Sequence, residues 1–111
     1  MQSDRTRVLI DSIRRLLRRG ANCQLNKIVN KTHAADLSVV FRSLSGSQQQ
    51  TLFQMIRDTE QKGMLLGELD EDTAVEIIEY LNTEDIDEIF ESMPNDDVAD
   101  LLGRLPEEMS Q

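Results

Sequence analysis

Residues 82–93 read NTEDIDEIFESM and residues 94–105 read PNDDVADLLGRL, two stretches of equal length that share one apolar pattern. Positions 5, 8, 9 and 12 are apolar in both: Ile86, Ile89, Phe90 and Met93, then Val98, Leu101, Leu102 and Leu105. The spacing i, i+3, i+4 and i+7 places four side chains on one stripe of an α-helix. The stretches therefore predict two short amphipathic helices, each of which needs a partner to bury its stripe.

The same 12-residue frame extends upstream to His33, in pieces that begin at positions 33, 45, 58 and 70, with Arg57 as one extra residue. The pieces depart from the pattern only at position 5, where Gln49 and Lys62 are polar. Helices of about eight or nine residues are marginal alone and must stack. We therefore predict an all-α fold, a right- or left-winding superhelix (α-solenoid) of short amphipathic helices. An irregular helical bundle shares the same local features and is the alternative.

Residues that often cap helices stand near the start of the pieces. The candidates are Ser45, Ser47, Asp58, Thr59, Asp70, Asp72, Asn82, Thr83, Asn95 and Asp96. Pro94 opens its piece, where a missing amide proton costs little and the preceding helix must stop. A turn or capping role is also favoured for His33, which opens the first piece.

A different pattern precedes the repeats, and it divides the chain into a basic N-terminal helical cap, residues 1–32, and an acidic helical-repeat domain, residues 33–111. Residues 4–19 predict an Arg-rich helix that ends at Gly20. Its apolar face is expected to hold Val8, Leu9, Ile13, Leu16 and Leu17. A second short helix is expected at about residues 24–31.

Charge is distributed unevenly, although the net charge is -9. Residues 1–44 carry nine Lys or Arg against three acids, whereas residues 45–111 carry three against eighteen. The arginines raise the question of nucleic acid or anionic lipid. No aromatic residues interleave with them, however, and the domain as a whole is acidic. The pattern favours a solvated face, or one packed against acidic residues of the same or another chain, and no nucleic-acid partner is expected.

The sequence gives little support to catalysis, and we expect no enzyme. A single Cys23, expected to be half-buried, and a single His33 exclude an intrachain disulfide and the usual zinc arrays. There is no Gly-rich phosphate loop or nucleophile elbow. No stretch approaches the ~20 apolar residues of a membrane span, so the isolated chain is expected to be soluble and monomeric.

Carboxylates crowd the helices from residue 68 to residue 100. Because they repel one another, a hard divalent cation that prefers oxygen ligands would relieve the repulsion. Mg²⁺ is the favoured ion if the carboxylates act through waters, and other divalent cations are possible. The alternative is that these carboxylates form only a solvated surface.

Four stretches together are similar to a known family: HAADL at 33–37, FRSL at 41–44, LDEDTAVEIIEYL at 69–81 and MPNDDVADLLGRLPEE at 93–108. They resemble the cytosolic N-terminal domain of MgtE-type magnesium transporters. The resemblance implies a helical superhelix that precedes a pair of CBS domains and a dimeric transmembrane pore, at the cytoplasmic face of the bacterial inner membrane. It also implies a regulatory Mg²⁺ sensor, in which ions bridge acidic faces of this domain and the CBS domains and close the channel.

The metal contacts that the resemblance implies lie in the DDVAD stretch and fall on Asp96, Asp97 and Asp100. Asp96 and Asp100 are four residues apart and would share a helix face, with Asp97 beside them. Asp96 is also a candidate N-cap. Elsewhere the chain departs from the family, with Ala34 in place of a proline and the apolar residues 64–66 where another acidic contact is expected.

Pro106 would open a seventh piece as Pro94 opens the sixth, and we therefore expect a fragment of a longer transporter. The competing functional hypothesis is a free-standing acidic α-helical module that binds a basic protein partner and has no metal function.

Overall fold

The computed structural model describes residues 4–105, which fold into eight α-helices and contain no β-strand. The helices are α1 Asp4–Arg19, α2 Asn22–Lys31, α3 Ala34–Arg42, α4 Gly46–Met55, α5 Thr59–Glu68, α6 Glu71–Glu79, α7 Thr83–Ser92 and α8 Asn95–Leu102. The all-α prediction is confirmed, and each of the six pieces from position 33 to position 105 contains one helix. The seventh piece predicted at Pro106 lies outside the described residues.

Side-chain caps begin four of the six repeat helices. Ser45 forms a capping box with Gln48 at α4, and the side chains of Asp58, Asp70 and Asn82 accept backbone N–H groups at α5, α6 and α7. Each cap supplies an acceptor to an N–H group that has no partner within its helix. The candidates one or two positions later in the same pieces lie inside the helices instead.

The prediction that Asp96 is an N-cap is wrong. Pro94 holds that position with φ -57° and ψ 143°, and α8 begins at Asn95. Because the proline ring fixes φ in the range that an extended residue needs, the chain enters the helix before it reaches Asp96. His33 holds the N-cap position of α3, as expected, but its side chain forms no cap hydrogen bond.

The helices pack in two rows. Among the described residues, α1, α3, α5 and α7 contact one another in succession, as do α2, α4, α6 and α8, and α1 also packs against α2. The main partner of a repeat helix is therefore its second neighbour along the chain and not the adjacent helix, because short turns pass the chain from one row to the other. The molecule measures 39 × 29 × 21 Å. This stacking is compatible with the predicted solenoid, whose continuous winding stays a prediction.

The predicted stripes form the core, since every stripe position is buried or half-buried. Phe41 and Phe53 lie within this core, with exposed fractions of 0% and 1%.

The two polar residues at position 5 of their pieces interact with the core in different ways. Gln49 is buried and its Nε2 donates to the carbonyl oxygens of Phe41, at 2.8 Å, and Leu44, at 3.4 Å. Lys62 places its ammonium 5.9 Å from the centroid of the Phe53 ring.

The N-terminal helix α1 has the predicted bounds but a rotated apolar face. Ile10 and Ile13 are buried, whereas Val8 is 62% exposed, so the expectation that Val8 faces the core is wrong. Residues 10 and 13 are three positions apart and point to one side, and Val8 falls on the opposite side. The buried side contacts α2 and α3, and one core cluster joins these first helices to the repeats. The domain boundary at residue 32 stays a prediction.

Gly20 ends α1 as predicted. Its φ of 69° lies in the left-handed region, which glycine enters without a Cβ penalty. The N–H of Gly20 donates to Leu17 and that of Ala21 to Leu16, the paired bonds of a Schellman motif. The chain turns sharply here, and α2 begins at Asn22, two residues before the position expected.

Candidate metal-binding site

The three candidate aspartates lie on α8, two of them in its first turn. Asp96 and Asp100 are exposed and Asp97 is half-buried. Carboxylates in the first turn interact favourably with the helix dipole, which by itself accounts for Asp96 and Asp97. It does not account for Asp100, which lies one turn further along the helix.

A small cleft between α8 and the α5–α6 junction brings two of the three aspartates together. Its volume is about 60 Å³, and Asp97 and Asp100 line it opposite Glu71. Leu66, Gly67, Leu69 and Leu101 complete its walls. Asp96 is not among the lining residues, so the structure pairs Asp97 with Asp100, three positions apart, instead of Asp96 with Asp100. We call this feature the α8 cleft.

Gly67 allows the side chain of Asp97 to enter the α8 cleft. A Cβ at position 67 would lie 3.3 Å from Asp97 Oδ2, a distance tighter than ordinary van der Waals contact. The carboxylate therefore lies directly against the backbone of α5. The sequence alone did not indicate this role. From sequence, Gly67 is only a residue of low helix propensity near the end of a predicted helix.

An arginine lies beside the same carboxylates. Arg104 forms a salt bridge with Glu71, and one of its terminal nitrogens lies 3.8 Å from Asp72 Oδ1. These are the ion pairs found among residues 4–105, and both connect the chain just after α8 to the first turn of α6. Arg104 thus supplies positive charge at one edge of the α8 cleft. The sequence showed a basic residue in an acidic segment but not its partners.

The donor atoms fit part of a site for a hard cation. Asp97, Asp100 and Glu71 provide carboxylate oxygens, the ligands that Mg²⁺ prefers, and all three line the same small cleft. Within the described part of the chain, however, no three His, Cys, Asp or Glu side chains are grouped closely enough to hold a metal ion. The α8 cleft would therefore supply only part of a metal site, which waters or a second surface would have to complete.

Among the titrating groups of residues 4–105, Asp70 has the clear perturbation, and its role is structural. The side-chain hydrogen bond from Thr73 lowers the pKa of Asp70 below its usual range, while partial desolvation opposes the shift. The Thr73 hydroxyl donates to Asp70 Oδ1 at 2.7 Å, and the Thr73 N–H donates to Oδ2 at 3.2 Å. Both bonds belong to the cap of α6, the helix that carries Glu71.

The remaining candidates show no arrangement for chemistry. His33 is exposed at the start of α3. Cys23 is exposed, not half-buried as expected, because it lies on the outer side of α2, whose buried residues are Leu25 and Val29. In the part of the chain that the structure describes, no helix is both long enough and apolar enough to cross a bilayer.

The comparison with family models supports the resemblance seen in the sequence. The model of the MgtE intracellular N domain matches residues 32–111. The match begins directly after α2 and includes α3 to α8 with the α8 cleft. A search of curated proteins gave no significant match. Since the family model covers most of the sequence, the chain belongs to the MgtE intracellular N domain family, a domain of magnesium transporters.

Proposed function

We propose that this domain is the Mg²⁺-sensing regulatory part of a magnesium transporter, and that its α8 cleft supplies half of an ion-bridged contact. The partner face would belong to the CBS domains of the same transporter, at the cytoplasmic side of the bacterial inner membrane. Family membership supports the transporter context. The observation that carries the proposal is the cleft whose lining includes the carboxylates of Asp97, Asp100 and Glu71.

Charge repulsion provides the two states that a sensor needs. Without the ion, the acidic helices α6 to α8 would be repelled by another acidic surface. With it, Mg²⁺ and its waters would bridge the two surfaces and hold the transporter closed. The switch works only because the ion binds the joined state better than the separated one.

The three aspartates would then have different tasks. Asp97 and Asp100 line the cleft and would hold the hydrated ion from this side, together with Glu71. Asp96 is exposed at the start of α8 and would meet the partner surface or a water of the ion. Arg104 pairs with Glu71 and would compete with the ion for this carboxylate.

Titration of the 111-residue chain with Mg²⁺, followed by amide chemical shifts, tests the site. We expect saturable shifts at the cleft residues of α8 and at the α5–α6 junction, with a midpoint in the millimolar range. The double variant Asp97→Asn with Asp100→Asn should remove them. The control is Glu84→Gln with Asp87→Asn, which deletes two exposed carboxylates of α7 and should leave the shifts in place.

Two results would contradict the proposal. Non-saturating shifts spread over all acidic helices would indicate a diffuse counterion atmosphere. Equal losses in the cleft variant and the α7 control would show that total charge, not the cleft, determines binding.

A second candidate function is an acidic interaction module without a metal role. The observation in its favour is the lack of any three-ligand metal group within residues 4–105. In that case a basic protein partner would bind α7 and α8 equally well in Mg²⁺ and in a chelator. Binding that requires Mg²⁺ would exclude this function.

A further inference from the structure

The outer face of α1 carries six arginines that the fold leaves uncovered. All six are exposed: Arg5, Arg7, Arg14, Arg15, Arg18 and Arg19. The opposite face of α1 contacts α2 and α3 through the buried Ile10 and Ile13. We call the exposed side the arginine face; along a helix of 16 residues it extends over about 24 Å.

The described part of the chain supplies no ion-pair partner to these arginines. The salt bridges within residues 4–105 are those of Arg104, at the other end of the repeats. The acids of α1 are Asp4 and Asp11, so its exposed side has a net positive charge. Arg14, Arg15 and Arg18 line an open groove of about 500 Å³ with Asp11 and Gln48.

An apolar residue lies within the arginine face. Val8 is 62% exposed, and it is three residues before Asp11 and seven before Arg15, on the same exposed stripe. A cluster of basic residues on one helix is attracted to anionic lipid headgroups, and an exposed aliphatic side chain among them adds a small apolar contact.

We propose that the arginine face of α1 docks on the anionic headgroup surface of a membrane. Guanidinium groups bind phosphate in a bidentate manner, and six of them along one helix match a continuous plane of phosphates. Val8 would enter the boundary between headgroups and acyl chains. The domain belongs to a family of magnesium-transporter domains, so a membrane lies within its surroundings. This inference does not depend on the Mg²⁺ proposal.

The acidic repeats do not prevent this docking. In one row, α1 contacts α3, α3 contacts α5, and α5 contacts the acidic helix α7. The axes of packed helices lie about 9 Å apart, so three such contacts separate α7 from α1. Repulsion between the acidic helices and the membrane is screened beyond about 8 Å at physiological ionic strength. A second copy of the chain would also present acids to the arginine face, but each copy carries a net charge of -9, so two copies repel each other overall.

Cosedimentation of the full chain with lipid vesicles tests the proposal. We expect binding to vesicles of phosphatidylglycerol and phosphatidylcholine in equal parts, none to phosphatidylcholine alone, and loss of binding at high salt. The triple variant Arg14→Gln, Arg15→Gln, Arg18→Gln should bind about 100-fold more weakly, since each basic residue near an anionic surface contributes about fivefold. The control is Lys27→Gln, Lys31→Gln, Arg57→Gln, which removes the same charge from exposed residues on α2 and between α4 and α5, outside the arginine face, and should bind normally.

A further variant, Val8→Asp, should also weaken binding at low salt, because it removes the apolar contact and adds a negative charge to the arginine face. Absence of binding to the anionic vesicles, or equal losses in the two triple variants, would overturn the proposal. Sedimentation velocity without lipid provides the remaining test. If the chain self-associates and only the arginine-face variant is monomeric, the face belongs to a second copy and not to a membrane.

Discussion

Replacing Gly63 by alanine should destabilise the domain, because α5 packs tightly against the end of α7 at this residue. A Cβ at position 63 would lie 2.7 Å from Met93 Cγ and 3.0 Å from Ser92 Oγ, with the Ile89 carbonyl oxygen at 3.6 Å. Real Cβ atoms do not tolerate the first distance, so Met93 must move. Its side chain is only 6% exposed and has little free space around it.

The magnitude follows from two opposing effects. Overpacking a dense core costs about 1–3 kcal/mol. Alanine in place of glycine inside a helix returns about 0.8–1.0 kcal/mol. The displaced Ser92 hydroxyl also weakens its hydrogen bonds to Ile89, at 2.7 Å, and to Thr59, at 3.3 Å. We expect a net loss of about 1 kcal/mol, which corresponds to a decrease in Tm of about 4 °C for a domain of this size.

Urea denaturation followed by far-ultraviolet circular dichroism measures this loss. The matched control is Gly67→Ala on the same helix, whose Cβ would meet only the movable carboxylate of Asp97 at 3.3 Å. The control should be unchanged or more stable by about 0.5 kcal/mol, given its place in the last helical turn. If both variants are equally stabilised, α5 and α7 do not make this close contact.

Three further predictions concern single side chains. Gln49→Leu should lower the free energy of unfolding by about 1 kcal/mol in urea titrations, because the carbonyl oxygens at the end of α3 lose a buried donor. Asp70→Ala should cost about 1 kcal/mol at neutral pH through the lost cap. Since the folded state lowers the pKa of Asp70, its charged form stabilises the fold above the ordinary pKa of about 3.9, and the difference between variant and wild type should shrink as the pH falls below that value. Arg104→Gln should change thermal stability by less than about 1 kcal/mol, since the pair is exposed, but should tighten Mg²⁺ binding at the α8 cleft in the amide-shift titration. Arg57→Gln removes equal charge elsewhere, and an equal effect on Mg²⁺ affinity would contradict the local role of Arg104.

The repeats could be predicted from sequence because their signals are local. The stripe spacing fixed which side faces the core, and Ser45, Asp58, Asp70 and Asn82 marked the helix starts through bonds that span two or three residues. The polar Gln49 also lies on the buried stripe, because its side-chain amide donates hydrogen bonds to backbone carbonyl oxygens there.

The errors have equally physical causes. The apolar residues of α1 cover more than half of its circumference, so the sequence could not distinguish a buried face at Ile10 from one at Val8 until α2 and α3 were in place. The N-cap of α8 was also predicted wrongly. Proline can occupy the N-cap position through its backbone conformation alone, so α8 begins directly after Pro94 and Asp96 lies inside the helix.

The candidate site depends on contacts between residues far apart in the chain. Asp97 lies against Gly67, thirty positions earlier, and Arg104 pairs with Glu71. No periodicity within a 12-residue piece encodes such pairs. The family resemblance directed attention to α8, but only the packing of α8 on α5 and α6 distinguished Asp97 and Asp100, which line the cleft, from Asp96, which does not.

The two-row packing limits how the length of such a chain can change. Since helices alternate between the rows, deleting or duplicating a single 12-residue piece would shift every later helix into the other row and remove its contact with its second neighbour. Gain or loss of two consecutive pieces preserves the alternation. We therefore expect that variants of this architecture differ by pairs of helices, and that an odd insertion survives only at the end of the stack.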